Sequence, residues 1–197
     1  MTAENPFHQT LDFIGYLDQL KNVIRQNGLW DGSRPENTAE HSWHAALSAL
    51  LLAPYANEPI DVDKVTRMLL IHDLIEIEAG DTFVYDAKGL EKQEEAELQA
   101  AEIVFGRLPE AQGAALRALW DEFEERSTPE AKFAKAIDRF MPLYSNYCNG
   151  GYSWRAHDVT HGQVVEICAK IEDGSSALWA FSEDILKESV QKGWLKP

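Results

Sequence analysis

The sequence predicts an all-α fold, and three observations carry that prediction. Apolar residues recur at spacings of three and four along nearly the whole chain, and no stretch alternates apolar and polar with the period of two that a half-buried strand needs. Helix-start signals stand ahead of the periodic runs, at Asn37, Asp61 and Ser127. At 197 residues the chain is long enough for one well-filled core. A single domain is expected over 1–197, with a core at about 7–150 and a C-terminal helical extension at 151–197.

Each element has its own justification. Leu11, Ile14, Leu17, Leu20 and Ile24 read as the stripe of a first helix. Asn37, with Glu40 three residues later, starts a second helix that is Ala- and Leu-rich to Leu52. Pro54 and Pro59 bracket a loop, and Asp61 caps a third helix carrying Val62, Val65, Leu69 and then His72 or Ile75. The stretch from Gly80 to Thr82 ends it. A Glu-rich helix is expected from about Leu90 to Phe105, and another is marked by Leu116, Leu119, Trp120 and Phe123. Ser127-Thr128-Pro129-Glu130 starts the next helix, with Ser127 as the cap, and it carries Phe133, Ile137, Phe140, Met141 and Tyr144. Pro142 cannot donate to the carbonyl of Asp138, so a kink is expected there. Asn149-Gly150-Gly151 breaks the pattern. Two helices follow, near Val159–Lys170 and Ser176–Gln191.

Charge narrows the function. With 33 acidic and 18 basic residues the net charge is −15. Such a surface disfavours a nucleic-acid polymer and an anionic membrane as partners. It does not exclude a small phosphate ligand, because a few arginines or a metal make a local positive site. No run approaches the ~20 apolar residues of a membrane span. The N-terminus shows no signal-peptide pattern, and two cysteines, Cys148 and Cys168, read as reduced thiols, so a cytoplasmic location is expected.

Histidines and carboxylates carry the chemistry. His72 and Asp73 are neighbours, and Glu76 falls between their directions one turn later. Three polar groups on a side that Leu69 and Ile75 mark as core are costly unless an ion pairs them. Further ligands must come from elsewhere: Glu40-His41 opens the second helix, and Asp138 lies at the edge of an apolar stripe. Two His, two Asp and one Glu suit Mn, Co, Fe, Ni, Zn or Mg with positions left open. His157 and His161 stand at i,i+4, a metal-like spacing if helical and otherwise surface or capping residues.

His41, then His72-Asp73, then Asp138 in Lys135-Ala136-Ile137-Asp138, resembles the H…HD…D signature of the HD-domain metal-dependent phosphohydrolases. The segment Arg34 to Ser42, His72 to Glu76 followed by Gly80-Asp81, and Leu119 to Phe133 resemble the 5′-deoxynucleotidase-like branch, over about residues 7–147. The resemblance implies an HD helical bundle. His41, His72, Asp73 and Asp138 would be metal ligands, and Glu76 and Asp81 would position or deprotonate water. Arg25 and Arg34 would be the substrate-binding arginines, Arg25 at the phosphate. The implied reaction is hydrolysis of a nucleoside 5′-monophosphate, a small-molecule substrate. The branch tends to have Arg-Trp where this chain has Arg25-Gln26. Two alternatives remain: an HD phosphodiesterase, with His44, His157 or His161 serving a second metal, and a nucleotide-binding regulatory module. An alarmone hydrolase would carry Asp where Ile77 stands. Related proteins suggest a homodimer; Trp154, Trp179, Phe181 and Trp194 would form its interface or pack onto the chain's own core.

Overall fold

The computed structural model describes residues 5–81, 84–85 and 93–197. It is a bundle of helices carrying one short ribbon. Helix α1 (Pro6–Leu17) is capped by the Asn5 side chain and gives way to a 3₁₀ turn at Asp18–Asn22. The expected stripe is therefore cut. Ile24 begins a strand, Leu11 and Ile14 face outward, and the buried side is Phe13, Tyr16 and Leu20. Both sets of residues have helical spacing, and the face with two aromatics is the one the core takes.

Strand β1 (Ile24–Gly28) pairs antiparallel with β2 (Pro35–Asn37), Ile24 opposite Asn37 and Gly28 opposite Pro35. This ribbon corrects the expectation of no strands. Its residues lack β-branched alternation, and tertiary contacts hold it. Asn149 donates to the Gly28 carbonyl at 3.1 Å, and Asn146 to the Asn27 side chain at 3.2 Å. A Cβ at position 28 would sit 2.7 Å from the Tyr152 ring, so the close approach requires glycine.

Helix α2 (Thr38–Leu52) begins with a complete capping box: Asn37 accepts from the Glu40 N–H and Glu40 accepts from the Asn37 N–H. Helix α3 (Val62–Ile71) is capped by Asp61. It ends at Ile71, so His72 to Ile75 form a turn rather than mid-helix residues, followed by the short α4 (Glu76–Ala79). Helices α5 (Gln93–Gly106) and α6 (Glu110–Glu125) follow; the expected start near Leu90 lies outside the described residues, as does Thr82. Helix α7 (Pro129–Cys148) is capped by Thr128, one residue later than expected, because Thr128 rather than Ser127 accepts from Ala131. It continues through Pro142 to Cys148.

Helix α7 is the axis of the main core. Phe133, Ala136 and Ile137 are fully buried against α2 and α3 on one side and the C-terminal elements on the other. Those elements are α8 (Tyr152–Ala156), α9 (His161–Cys168), a 3₁₀ turn and α10 (Ser176–Gln191). Trp154, Ile171, Leu186 and Leu195 join the same cluster as Ile137. Trp194 covers the Gly150-Gly151 turn, and Trp179 is partly buried, so the tail aromatics pack largely inward; Phe181 stays exposed. A second cluster joins α1, α5 and α6 to the turn after α3.

Candidate metal centre

Three elements bring the four candidate ligand groups, two of them from one turn. His41 lies in the first turn of α2, His72 and Asp73 in the turn after α3, and Asp138 at the middle of α7. One donor atom from each of the four lies within 4.8 Å of the others. His41 Nε2 and His72 Nε2 stand 3.1 and 3.2 Å from Asp138 Oδ1, and His72 Nε2 is 3.2 Å from Asp73 Oδ2.

The turn after α3 explains how neighbouring residues serve one centre. Its backbone bonds run from Leu74 N–H to Ile71 O, Glu76 N–H to Asp73 O and Ile77 N–H to Leu74 O. That i→i+3 pattern eclipses residues three apart, so Asp73 and Glu76 stack over one another. The His72 ring is set by its own Nδ1, 2.9 Å from the Leu69 carbonyl, which leaves Nε2 for the centre. Trp120 Nε1–H donates to the His72 carbonyl at 3.1 Å, and Phe123 meets the imidazole edge-on.

Two nitrogens and two carboxylate oxygens, gathered from three sequence regions, fit a divalent ion. Bonds of about 2.0–2.2 Å hold such donors roughly 3–4 Å apart, which these four nearly satisfy. The imidazoles are buried and each is positioned from its far nitrogen, His41 by the buried Glu36 at 3.6 Å. Among the described residues no other group of three or more metal-binding side chains gathers.

Charge is concentrated here. Burial pushes both imidazoles toward the neutral form, but Asp138 and Glu36 raise His41, and Asp73 and Asp138 push His72 up to about 10. Burial opposes ionisation of Asp73 and Asp138, yet the neighbouring His72 holds both below the usual carboxylate range. Glu76 goes the other way. Burial, Asp73 and Asp81 raise it well above normal, despite Arg25. Its Oε2 accepts from the Thr38 hydroxyl at 2.7 Å. Asp81 is also raised, chiefly by burial.

Arg25 reaches this group from β1. Its Nη1 is 2.9 Å from Asp73 and 3.6 Å from both Glu76 and Asp81, while Nε is 3.5 Å from Glu36. Arg34 is not brought to the centre. It pairs bidentately with Glu40 at 2.6 and 2.8 Å and its side chain is half exposed, so it braces the α2 capping box. His157 and His161 lie on different elements. His157 ends α8 and contacts Gln26, while His161 opens α9, so they share no helix. His44 packs on Trp30 in a separate apolar recess. Glu36 and Thr38 belong to the site and carry no sequence signal of their own. Their place between Arg34 and His41 is the one available hint.

A cavity of roughly 670 Å³ opens over the centre, lined by His72, Asp73, Glu76, Asp81 and Asp138 among others. That is within the range of small-ligand sites. The family pattern for the HD domain matches residues 17–179. The chain belongs to the HD-domain family. This HD-domain chain is 31% identical over 174 residues to the human 5′-deoxynucleotidase HDDC2, spanning 82% of this chain and 84% of that protein. It is 29% identical over 168 residues to 5′-deoxynucleotidase hdd1 of Schizosaccharomyces pombe, spanning 77% and 83%. The crystal structure of a predicted metal-dependent phosphohydrolase from Magnetospirillum magnetotacticum MS-1 superposes with a TM-score of 0.93. The two share 44% identity, over 100% of this chain and 99% of that one. No helix among the described residues is long and apolar enough to cross a membrane.

Proposed function

We propose that this HD-domain protein hydrolyses deoxyribonucleoside 5′-monophosphates to nucleoside and phosphate. The observation that carries the reading is the convergence of four ligand groups with a buried, proton-seeking Glu76 under one nucleotide-sized cavity. The names of its relatives supply the substrate class.

His41, His72, Asp73 and Asp138 would hold the metal. A divalent ion there offsets phosphate charge and makes water more acidic. Glu76 takes the proton from the attacking water, with Thr38 fixing one of its oxygens and Arg25 steadying the carboxylates around it. Asp81, beside Arg25, orients the same water. Water adds to phosphorus, the bond from phosphorus to the 5′ oxygen breaks, and the leaving oxygen takes up the proton that Glu76 removed from the water. Arg25 approaches the phosphate while its charge is balanced by four carboxylates.

A panel of nucleoside monophosphates and a phosphodiester, each with Mn²⁺ or Co²⁺, tests the reaction. Phosphate release from the deoxynucleoside monophosphates is expected, with no diester cleavage. Diester cleavage favours the phosphodiesterase reading, and nucleotide binding without turnover favours the regulatory one. None of His44, His157 and His161 joins the donor group of His41, His72, Asp73 and Asp138, which supports the single-metal monoesterase. We infer a cytoplasmic homodimer as well. Two free cysteines support the compartment, and the outward row Trp43, Leu47, Leu50 and Leu51 on α2 supports a second copy as partner. Sedimentation velocity checks the dimer.

A further inference from the structure

The cavity walls carry four Lys and Arg side chains among the described residues, and three of them are already paired with carboxylates. Arg25 lies among Glu36, Asp73, Glu76 and Asp81. Lys135 Nζ is 2.9 Å from Glu124, and Arg126 is 3.7 Å from the same carboxylate. Arg139 differs. Among the described residues no carboxylate comes within 4.0 Å of it, so it is the cavity's cation without a counter-ion. Its Nη1–H donates to the Ile167 carbonyl at 2.8 Å, and its Nε is buried with no hydrogen-bond partner.

That arrangement is unusual. A partly buried guanidinium, in a protein of net charge −15 with carboxylates at hand, ordinarily finds one. Here the Ile167 contact fixes the plane of the group instead and leaves Nη2, which is not buried, with no partner among the described residues. A phosphate oxygen matches such a charged donor. Arg139 directly follows Asp138 on α7 and lines the same cavity, so its side chain starts one residue from the metal centre. The carboxylates of the cavity repel an anion, and a cation already paired with a carboxylate offsets that less than one that is not.

We propose that Arg139 is a substrate-binding residue whose guanidinium edge takes oxygens of the substrate's phosphate group. This deepens, and rests on, the phosphomonoester reading above. It assigns to Arg139 the uncommitted charge that Arg25 lacks and that Arg34 holds elsewhere.

The test uses Co²⁺-loaded wild type, Arg139→Lys and Arg139→Gln, with inorganic phosphate and deoxyadenosine as separate probes in titration calorimetry. Arg139→Gln should weaken phosphate binding by about tenfold or more, the usual order for removing one partner of a buried charge pair. Deoxyadenosine binding should not move, and KM for a deoxynucleoside monophosphate should rise more than kcat falls. Arg139→Lys keeps the charge and a donor for Ile167 but loses the fork, so it covers the case in which the Gln variant does not fold. It should show a smaller but measurable loss of phosphate affinity. Unchanged phosphate affinity in both variants, a loss falling on deoxyadenosine instead, or no phosphate binding by wild type overturns the assignment. Failure of the nucleotidase reading looks different: wild type then releases no phosphate from any nucleotide, while phosphate binding still depends on Arg139.

Discussion

At the scale of single residues, the proposed function separates holding an ion from moving a proton. Asp73 is a donor within the four-residue group, whereas Glu76 stands beside it with its own hydroxyl partner. Asp73→Ala should therefore abolish binding of Co²⁺ and, with it, turnover. Glu76→Gln should keep the ion, measured by metal analysis, and lose about 10²–10⁴-fold in kcat, the range for a general base. Retained turnover in a metal-loaded Glu76→Gln protein would remove Glu76 from that role. The pH dependence follows from His72. Burial opposes its charge, but Asp73 and Asp138 push it up to about 10. A metal ligand must be the neutral imidazole, so below that value binding the ion expels a proton. Affinity should then rise with pH, and Co²⁺ titrations at pH 6.5 and 8 should differ in that direction, with calorimetric heats that depend on the buffer's ionisation enthalpy.

At the scale of elements, short turns do what the long helices cannot. The i→i+3 turn from His72 to Ile75 aligns Asp73 with Glu76, and the Trp120 indole secures it from α6. The β1–β2 ribbon carries Arg25 and Glu36 to the same place from residues with little strand preference of their own. A third junction seats the C-terminal elements. A Cβ added at Gly174 would stand 2.4 Å from the Lys132 carbonyl and 2.8 Å from Ala136, both on α7. Gly174→Ala should cost roughly 1–3 kcal/mol, the usual range for overpacking, read as a lower urea midpoint at unchanged slope.

At the scale of the molecule, one helix joins core and site. Helix α7 buries Phe133 and Ile137 and presents Asp138 and Arg139 from the adjacent surface. The residues after 150 complete its burial: Trp154, Ile171 and Leu186 are all at most 1% exposed within the cluster that contains Ile137. We therefore treat the C-terminal segment as part of one domain. Ending the chain at Gly150 should leave a protein without a cooperative thermal transition or near-ultraviolet dichroism; a cooperative melt from that truncation would make the core independent of it. The net charge of −15 has a counterpart at this scale, since the site gathers acids that only a cation can reconcile.

The sequence by itself determined the helical fold class, the capping box at Asn37 and the group His41, His72, Asp73 and Asp138 that the fold gathers at one point. These rest on local signals: apolar period, cap chemistry and a spaced motif. It could not tell which of two helical stripes on α1 would be buried, because Leu11/Ile14 and Phe13/Tyr16 have the same spacing. Nor could it show the ribbon, whose strand residues have no period of their own, or separate Arg25, Arg34 and Arg139, which are alike as letters. Only the tertiary structure decided that Arg25 is surrounded by carboxylates, that Arg34 braces a helix cap and that Arg139 has no carboxylate beside it among the described residues. The reason is physical. A side chain's charge is fixed by its chemistry, but whether that charge is available depends on which groups the fold brings within a few ångströms of it.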